Sequence, residues 1–409
     1  MFRWPRLLMK VIRDPLWNNI RVEPLALRLI DTAAFQRLRY VRQLGLAFLV
    51  YPGASHSRFE HALGTYHLAR RALALLEERG DLRRVGDTAC AEIRLAALLH
   101  DIGHYPFSHA LEEIGALHHE EVARPLIAGG EVGDLLRSEL GGDGPERIVE
   151  LIRGRSANPL QGLISGSLDL DKIEYLRRDA LMCGVPYGDI DADRLLNSLV
   201  LIAPEPRRIG IQEKGLSALE SLLFAKYQMY RNVYWHHAVR SATAMYKRLV
   251  SDALDAGSLT AGQLASYTDE GLLLGLEATG GHPLLARLRE RRLYKRALEI
   301  PAADLGPAEG EWIADDWRRT MSLENDLAVK LGLAPGELLL DYPAKTEMLG
   351  LDMPVLRRDG RIDQLTAQSA GGSINLPTLA EDLYRSARWL RVFVARPVAL
   401  PRERVLELL

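Results

Sequence analysis

An apolar helical run that stops on an imidazole and a carboxylate is the feature that most limits what this chain can fold into. Leu95, Leu98 and Leu99 share one side of the run, and His100-Asp101 follow directly, with Ile102, Gly103 and His104 beyond them. Leucines at that spacing need a core to pack on, so the doublet is carried to the edge of a buried helix. Adjacent helical side chains point about 100° apart and can still converge on one ion beside the axis. A histidine with a carboxylate suits Mn, Fe or Zn and leaves coordination positions for water and substrate. Gly103 is expected to end the helix, and Asp87-Thr88 to cap its start.

The rest of the composition removes several classes of function. With 409 residues, 47% hydrophobic and 26% charged, the chain can bury one large core or two. A net charge of −2 gives no global attraction to nucleic acid or to an anionic membrane. Cys90 and Cys183 are the only cysteines, too few for a disulfide framework. No apolar run approaches the roughly 20 residues of a membrane span, and the basic start Met1-Phe2-Arg3 lacks the apolar segment of a signal peptide. A cytoplasmic location is the expectation.

Helical periodicity runs through residues 24–44, 58–79, 88–101, 106–115, 119–128, 145–154, 167–182, 192–200 and 215–255. Strand candidates are few: Arg207 to Lys214, and Trp389 to Ala395. Beyond about 256, breaks such as Gly280-Gly281-His282-Pro283 and Ala370-Gly371-Gly372 shorten the elements. The reading is a mainly α chain: a helical core over 1–255 and a smaller mixed α+β region over 256–409, assigned to packing or oligomerisation.

Most of the eleven histidines fall between His61 and His119. Buried imidazoles need partners, so that density points to chemistry. The simplest assembly places His61, His100, Asp101 and Asp171 around one divalent metal, with His104 one turn past the doublet to move a proton. Arg58, His109, Lys172, Lys226 and Arg231 would set several positive or donor groups near that metal, a combination that suits a polyphosphate. No Gly-rich phosphate loop is present. Tyr175, Tyr230 and Tyr234 offer flat faces and hydroxyls for a base or sugar, or simply pack a helix face. Asp169 reads equally well as a helix cap, and Glu60 as a solvated group or one that supports a ligand from behind.

At these residues the sequence resembles the HD-domain phosphohydrolases, whose metal signature is matched by His61, His100-Asp101 and Asp171. The segments Asp31 to Gly45, Tyr51 to His61 and His100 to His109 resemble the deoxynucleoside triphosphate (dNTP) triphosphohydrolases, both bacterial dGTPase-like enzymes and the vertebrate antiviral dNTPase. The likeness covers residues 7 to about 240. It implies metal-dependent cleavage of a dNTP into deoxynucleoside and triphosphate, with Mn, Fe or Mg at the centre and Zn also compatible. His104 and His119 would be the catalytic histidines, with Glu112 and Glu120 as acidic neighbours. Arg58, His109 and Lys172 would hold the triphosphate. Gln43, Leu44, Tyr175 and Asp179 would line the sugar site, Gln43 and Asp179 reading the 3′-hydroxyl. Leu44 and Tyr234 would exclude a 2′-hydroxyl.

The same resemblance implies a GTP or dNTP activator site at an interface of a dimer or tetramer, contacted by Lys10, Val11, Asp31, Gln36 and Arg39. Three positions depart from the pattern. Lys226 stands for a phosphate-binding arginine, Tyr230 for a histidine, and Arg13 for a small amide. Two rival readings remain: another HD phosphohydrolase acting on a cyclic nucleotide, a 5′-nucleotide or an alarmone, and a nucleotide-sensing or nucleic-acid-binding module with a vestigial site.

Overall fold

The computed structural model describes residues 9–202, 208–306, 309–344, 352–365 and 383–407. The extreme N-terminus, Arg207 and the Ala370-Gly371-Gly372 break lie outside the described residues. The described chain is mainly helical, and strands gather in its later part.

A hairpin comes first. Strands β1 (Lys10–Asp14) and β2 (Asn18–Val22) pair antiparallel, and Asp14 Oδ1 accepts from the amides of Leu16 and Trp17 to shape the turn. The helix expected across 24–44 is broken into α1 (Pro24–Ile30), α2 (Ala33–Gln36) and 3-10 turns. Thr32 causes the break, because its hydroxyl caps α2 by accepting from the Phe35 amide. Then come α3 (Arg58–Glu78), α4 (Asp87–Leu99), α5 (His119–Ala128), α6 (Gly130–Leu140), α7 (Gly144–Ile152) and α8 (Leu170–Cys183). A capping box, Ser57 with Glu60, starts α3, so Glu60 is a cap. Gly86, not Asp87-Thr88, occupies the cap position of α4.

Next follow α9 (Ala192–Leu196), β3 (Leu199–Ile202), β4 (Arg208–Gln212), α10 (Leu216–Met229), a π-helical turn over Tyr230–Tyr234 and α11 (His237–Asp255). The helix expected to residue 200 therefore ends early, since Leu199 and Val200 pair with Ile211 and Gly210. Phe35, Leu68, Ile93, Leu98, Ile173 and Leu222 lie in one continuous core that joins these helices.

Beyond Asp255 the chain forms α12 (Asp269–Ala278), α13 (Pro283–Arg289), β5 (Lys295–Pro301), α14 (Trp312–Asp315), α15 (Trp317–Lys330), β6 (Leu338–Asp341), β7 (Met353–Leu356), β8 (Ile362–Leu365) and β9 (Trp389–Val394). β9 is central in the sheet β5-β9-β6, as its β-branched run suggests. The other sheet runs β3-β4-β7-β8, and β7 adds parallel to β4 with Val355 opposite Ile211. Strands from both sides of residue 255 thus share one sheet.

Candidate active site

Helices α3 and α8 and the turn that leaves the end of α4 supply the four proposed ligands. His61 lies in the first turn of α3 and is fully buried. His100 is the C-cap of α4, so the helix stops one residue before the doublet turns away. Gly103 does not end that helix. It lies against α5, where a Cβ would come within 2.2 Å of the His119 carbonyl oxygen and 2.4 Å of the Ala123 nitrogen. Asp171 sits in the first turn of α8, behind the cap residue Asp169.

These side chains converge. His61 Nε2 is 3.1 Å from His100 Nε2, 2.8 Å from Asp171 Oδ1 and 3.6 Å from Asp101 Oδ2. His100 Nε2 is 3.5 Å from both Asp101 Oδ1 and Asp171 Oδ1.

The donor set fits a divalent cation, and the ring nitrogens say why. His100 Nδ1 is 2.9 Å from the Ala97 carbonyl, which only accepts, so that nitrogen carries a proton. His61 Nδ1 is 2.6 Å from the Glu174 carboxylate and is likewise the donor. Nε2 of each ring, the nitrogen left to bind, then faces the other and two aspartates. Burial alone would lower the His61 pKa, yet Asp171 and Glu174 raise it to about 10, so the pocket demands positive charge. Carboxylate or carbonyl partners on the far nitrogens are the usual support of metal-bound histidines.

Asp101 also meets Arg58 and His104. Arg58 Nη1 donates to Asp101 Oδ2 at 2.5 Å, and Arg58 Nη2 to Ser108 Oγ at 2.6 Å. His104 Nε2 lies 3.1 Å from Asp101 Oδ1 because the chain leaves the helix before it; it does not stack one turn above His100. The His104 ring stacks on His119, centroids 3.9 Å apart. Glu112 Oε1 sits 3.0 Å from His119 Nδ1 and 3.2 Å from His109 Nδ1. Burial pushes the Glu112 carboxyl up, but His109 and His119 outweigh it and hold the group well below the usual carboxylate range. Burial lowers His119 to about 4. Glu120 is one residue further, partly exposed, and burial raises its pKa.

A cavity of about 940 Å³ gathers almost every remaining candidate: Gln43, Leu44, Arg58, His100, Asp101, His104, His109, Glu112, His119, Glu120, Asp171, Lys172, Tyr175, Asp179, Lys226, Tyr230 and Tyr234 all line it. His61 stands behind the lining. Asp171, Tyr175 and Asp179 recur every fourth residue of α8, so they share a face about 12 Å long. Lys172 Nζ donates to the Gly166 carbonyl at 2.8 Å and pairs with Asp169 Oδ2 at 2.5 Å. Arg231 is outside the lining and donates to the Tyr227 hydroxyl.

The five activator candidates also lie outside the cavity lining, on β1, on the α1–α2 segment and, for Arg39, in the 3-10 turn that follows α2. Lys10, Val11, Asp31 and Arg39 are exposed and Gln36 half-buried. Gln36 Nε2 donates to the Ile30 carbonyl, and Arg39 Nε donates to Gln36 Oε1.

The loop carrying Ser108 and His109 is held from outside. Phe107 and Ser108 have φ of 57° and 69°, left-handed values that cost a side-chain-bearing residue energy. Asp269 Oδ1 accepts from the Phe107 amide, and Asp269 Oδ2 accepts from the Arg42 amide. Arg37 donates to the carbonyls of Ile102 and His104.

Residues 58–163 match the HD domain family and residues 190–372 the HD associated region. An uncharacterized protein of Methanocaldococcus jannaschii is 38% identical over 328 residues, 79% of this chain and 67% of that protein. The chain belongs to the HD-domain phosphohydrolase family. Among its relatives is the deoxynucleoside triphosphate triphosphohydrolase SAMHD1 of Homo sapiens, 30% identical over 267 residues, 56% of this chain and 42% of that one. A phosphohydrolase structure from Bacteroides thetaiotaomicron shares the fold, with a TM-score of 0.74 at 24% identity over 95% of this chain and 100% of the other. The chain spans between 42% and 67% of the length of these two sequence relatives.

For this HD-domain protein, sequence reasoning missed Glu174, His56 and Asp269. Glu174 lies three residues after Asp171 on one helix face, a spacing that could have revealed it. Its Oε1 accepts from Trp17 Nε1 and Arg178 Nε, and a Cβ on Gly64 would collide with it at 2.0 Å. His56 stood in a quoted motif without a role. Nothing local marks Asp269.

Proposed function

We propose that the chain is a metal-dependent hydrolase of deoxynucleoside triphosphates that cuts at the α-phosphorus, releasing deoxynucleoside and intact triphosphate. The observation that carries this reading is the single face of α8: Asp171 at the metal donors, Tyr175 next, and Asp179 about 12 Å along. That span suits a phosphate joined to a sugar. Arg58, His109, Lys172 and Lys226 in the same cavity supply cationic or donor groups for a polyphosphate.

His61, His100, Asp101 and Asp171 would hold a divalent ion of the Mn, Fe or Mg type, with Zn also compatible. Such an ion supplies Lewis-acid polarisation of a phosphoryl oxygen and a more acidic water. Arg58 balances charge gathering on phosphoryl oxygens from a position fixed by Asp101 and Ser108. Glu112 keeps His109 and His119 with a proton on Nδ1, so Nε2 of each is left to take or give one. Of the two catalytic candidates, His119 is the better carrier to the leaving 5′-oxygen, because His104 Nε2 is committed to Asp101. The negative charge of a bound triphosphate would raise the His119 pKa toward neutrality.

Lys10, Val11, Asp31, Gln36 and Arg39 are proposed to contact a GTP or dNTP activator between copies of a dimer or tetramer, and the region after 256 to pack those copies. Two free thiols fit a reducing cytoplasm. Among the described residues no helix is long and apolar enough to cross a membrane. The test is a panel of the four dNTPs and GTP, with and without added GTP, across Mg, Mn and Fe, with products separated. Deoxynucleoside plus triphosphate is expected; dGMP plus pyrophosphate overturns the α-phosphorus assignment. Cleavage of cyclic nucleotides or alarmones alone would favour the rival hydrolase.

A further inference from the structure

Gln43 and Asp179 are far apart in sequence, yet both bond to one buried residue, Gln43 through the main chain and Asp179 through the ring. His56 is 2% exposed. Its backbone carbonyl accepts from the Gln43 backbone N–H at 3.0 Å, a main-chain contact that any residue at 56 would make. Its ring Nε2 lies 2.8 Å from Asp179 Oδ1, and the acceptor being a carboxylate makes the ring the donor. The Tyr234 hydroxyl donates to Asp179 Oδ2 at 2.6 Å.

Each carboxylate oxygen therefore has one donor from the protein and keeps a lone pair. Two donors on separate oxygens fix both the position and the rotation of the group. Gln43 Oε1, also buried, has no hydrogen-bond partner among the described residues. A buried acceptor without a donor is costly, so the site is built to receive a donor from outside the chain. Gln43 and Asp179 both line the cavity, whereas His56 does not.

We propose that His56 is a positioning residue whose ring fixes Asp179, in the cavity that Gln43 also lines, as the reader of a substrate hydroxyl, and so sets the discrimination between sugars with and without a 3′-hydroxyl. This rests on the dNTP reading of the site. His56 touches no substrate. Its ring N–H holds the Asp179 carboxylate where a hydroxyl can donate to it. Losing its ring N–H leaves Asp179 with Tyr234 alone, free to rotate.

The experiment compares kcat/KM for dGTP and for its 2′,3′-dideoxy analogue in the wild type, H56A, H56N and H56Q. A glutamine amide reaches the position of the ring Nε2, and an asparagine amide falls short. The preference for dGTP should fall by about tenfold in H56A and H56N, the worth of one hydrogen bond to a charged group. The change should lie mainly in the KM for dGTP, with the dideoxy substrate held within about twofold. H56Q should restore the preference. Equal losses on both substrates would mean a merely structural residue and overturn the proposal, as would an unchanged ratio in H56A. Should H56A not fold, H56N against H56Q decides, since both carry an amide and differ in reach. A wild type that hydrolyses no dNTP defeats the substrate reading instead, so the two failures are distinct.

Discussion

Two clusters of charged side chains buried in this molecule are built in opposite ways. Beside α11, Arg240 pairs with both oxygens of Glu113 at 3.1 and 2.9 Å and with Asp341 at 2.6 Å, while Lys247 reaches Glu113 at 2.9 Å. Two cations meet two anions there and the account closes. Between α3, α4 and α8, two ring nitrogens and two aspartates face each other, and Arg58 pairs with Asp101. A closed network joins elements, whereas an anionic, lone-pair-rich one awaits a cation. Burial of charge by itself would not tell them apart.

Emptying the open cluster should have the largest effect. Asp101→Ala and His100→Ala are each expected to lose the bound metal and to cut turnover by about a thousandfold or more. Dialysis of the wild type against a chelator should reproduce the loss, and elemental analysis reads both. A variant that keeps one equivalent of metal and full turnover sinks the assignment.

The closed cluster should respond the other way. Arg240→Ala leaves Glu113 and Asp341 buried without their main partner, at a cost of about 3–5 kcal/mol in denaturant unfolding. Metal content per folded chain should not change. If the variant instead lost metal and kept its stability, the two clusters would not be separable.

A smaller effect sharpens the contrast by showing an imperfect pair on the closed side. Glu324 accepts from the Leu340 amide at 2.8 Å and lies 3.2 Å from Arg248, but burial pushes its carboxyl up to about 7. A folded pKa above the unfolded value means that the native state holds its proton longer. The group's contribution is therefore fully present below about pH 4.5 and is lost as pH rises through 7, by at most about 3 kcal/mol. Glu324→Gln should flatten that slope in unfolding measured from pH 4.5 to 8. An identical slope in the variant would exclude Glu324 as its source.

Local signals carried much of the reading. Leucine spacing marked α4, and His61, His100, Asp101 and Asp171 stood out because ligands at helix ends need few neighbours to define them. The residues of the α8 face could be listed from one helical stretch. What stayed hidden depends on distant pairing. The strand Leu199–Ile202 looks helical until Arg208–Gln212 lies beside it, and β1 and β2 are short, with polar residues at exposed positions. His104 was expected over His100 because nothing in the sequence says that the helix ends at Leu99. Glu174 and His56 support others through contacts 113 and 123 residues away.

Asp269 carries a consequence for anyone who would trim this protein. It belongs to α12, beyond the helical core, yet it ties the Phe107 amide to the Arg42 amide. A fragment stopping after α11 would retain all four metal donors and still release the left-handed turn that aims Ser108 and His109. The later half of the chain is thus the splint on which the earlier half keeps its shape.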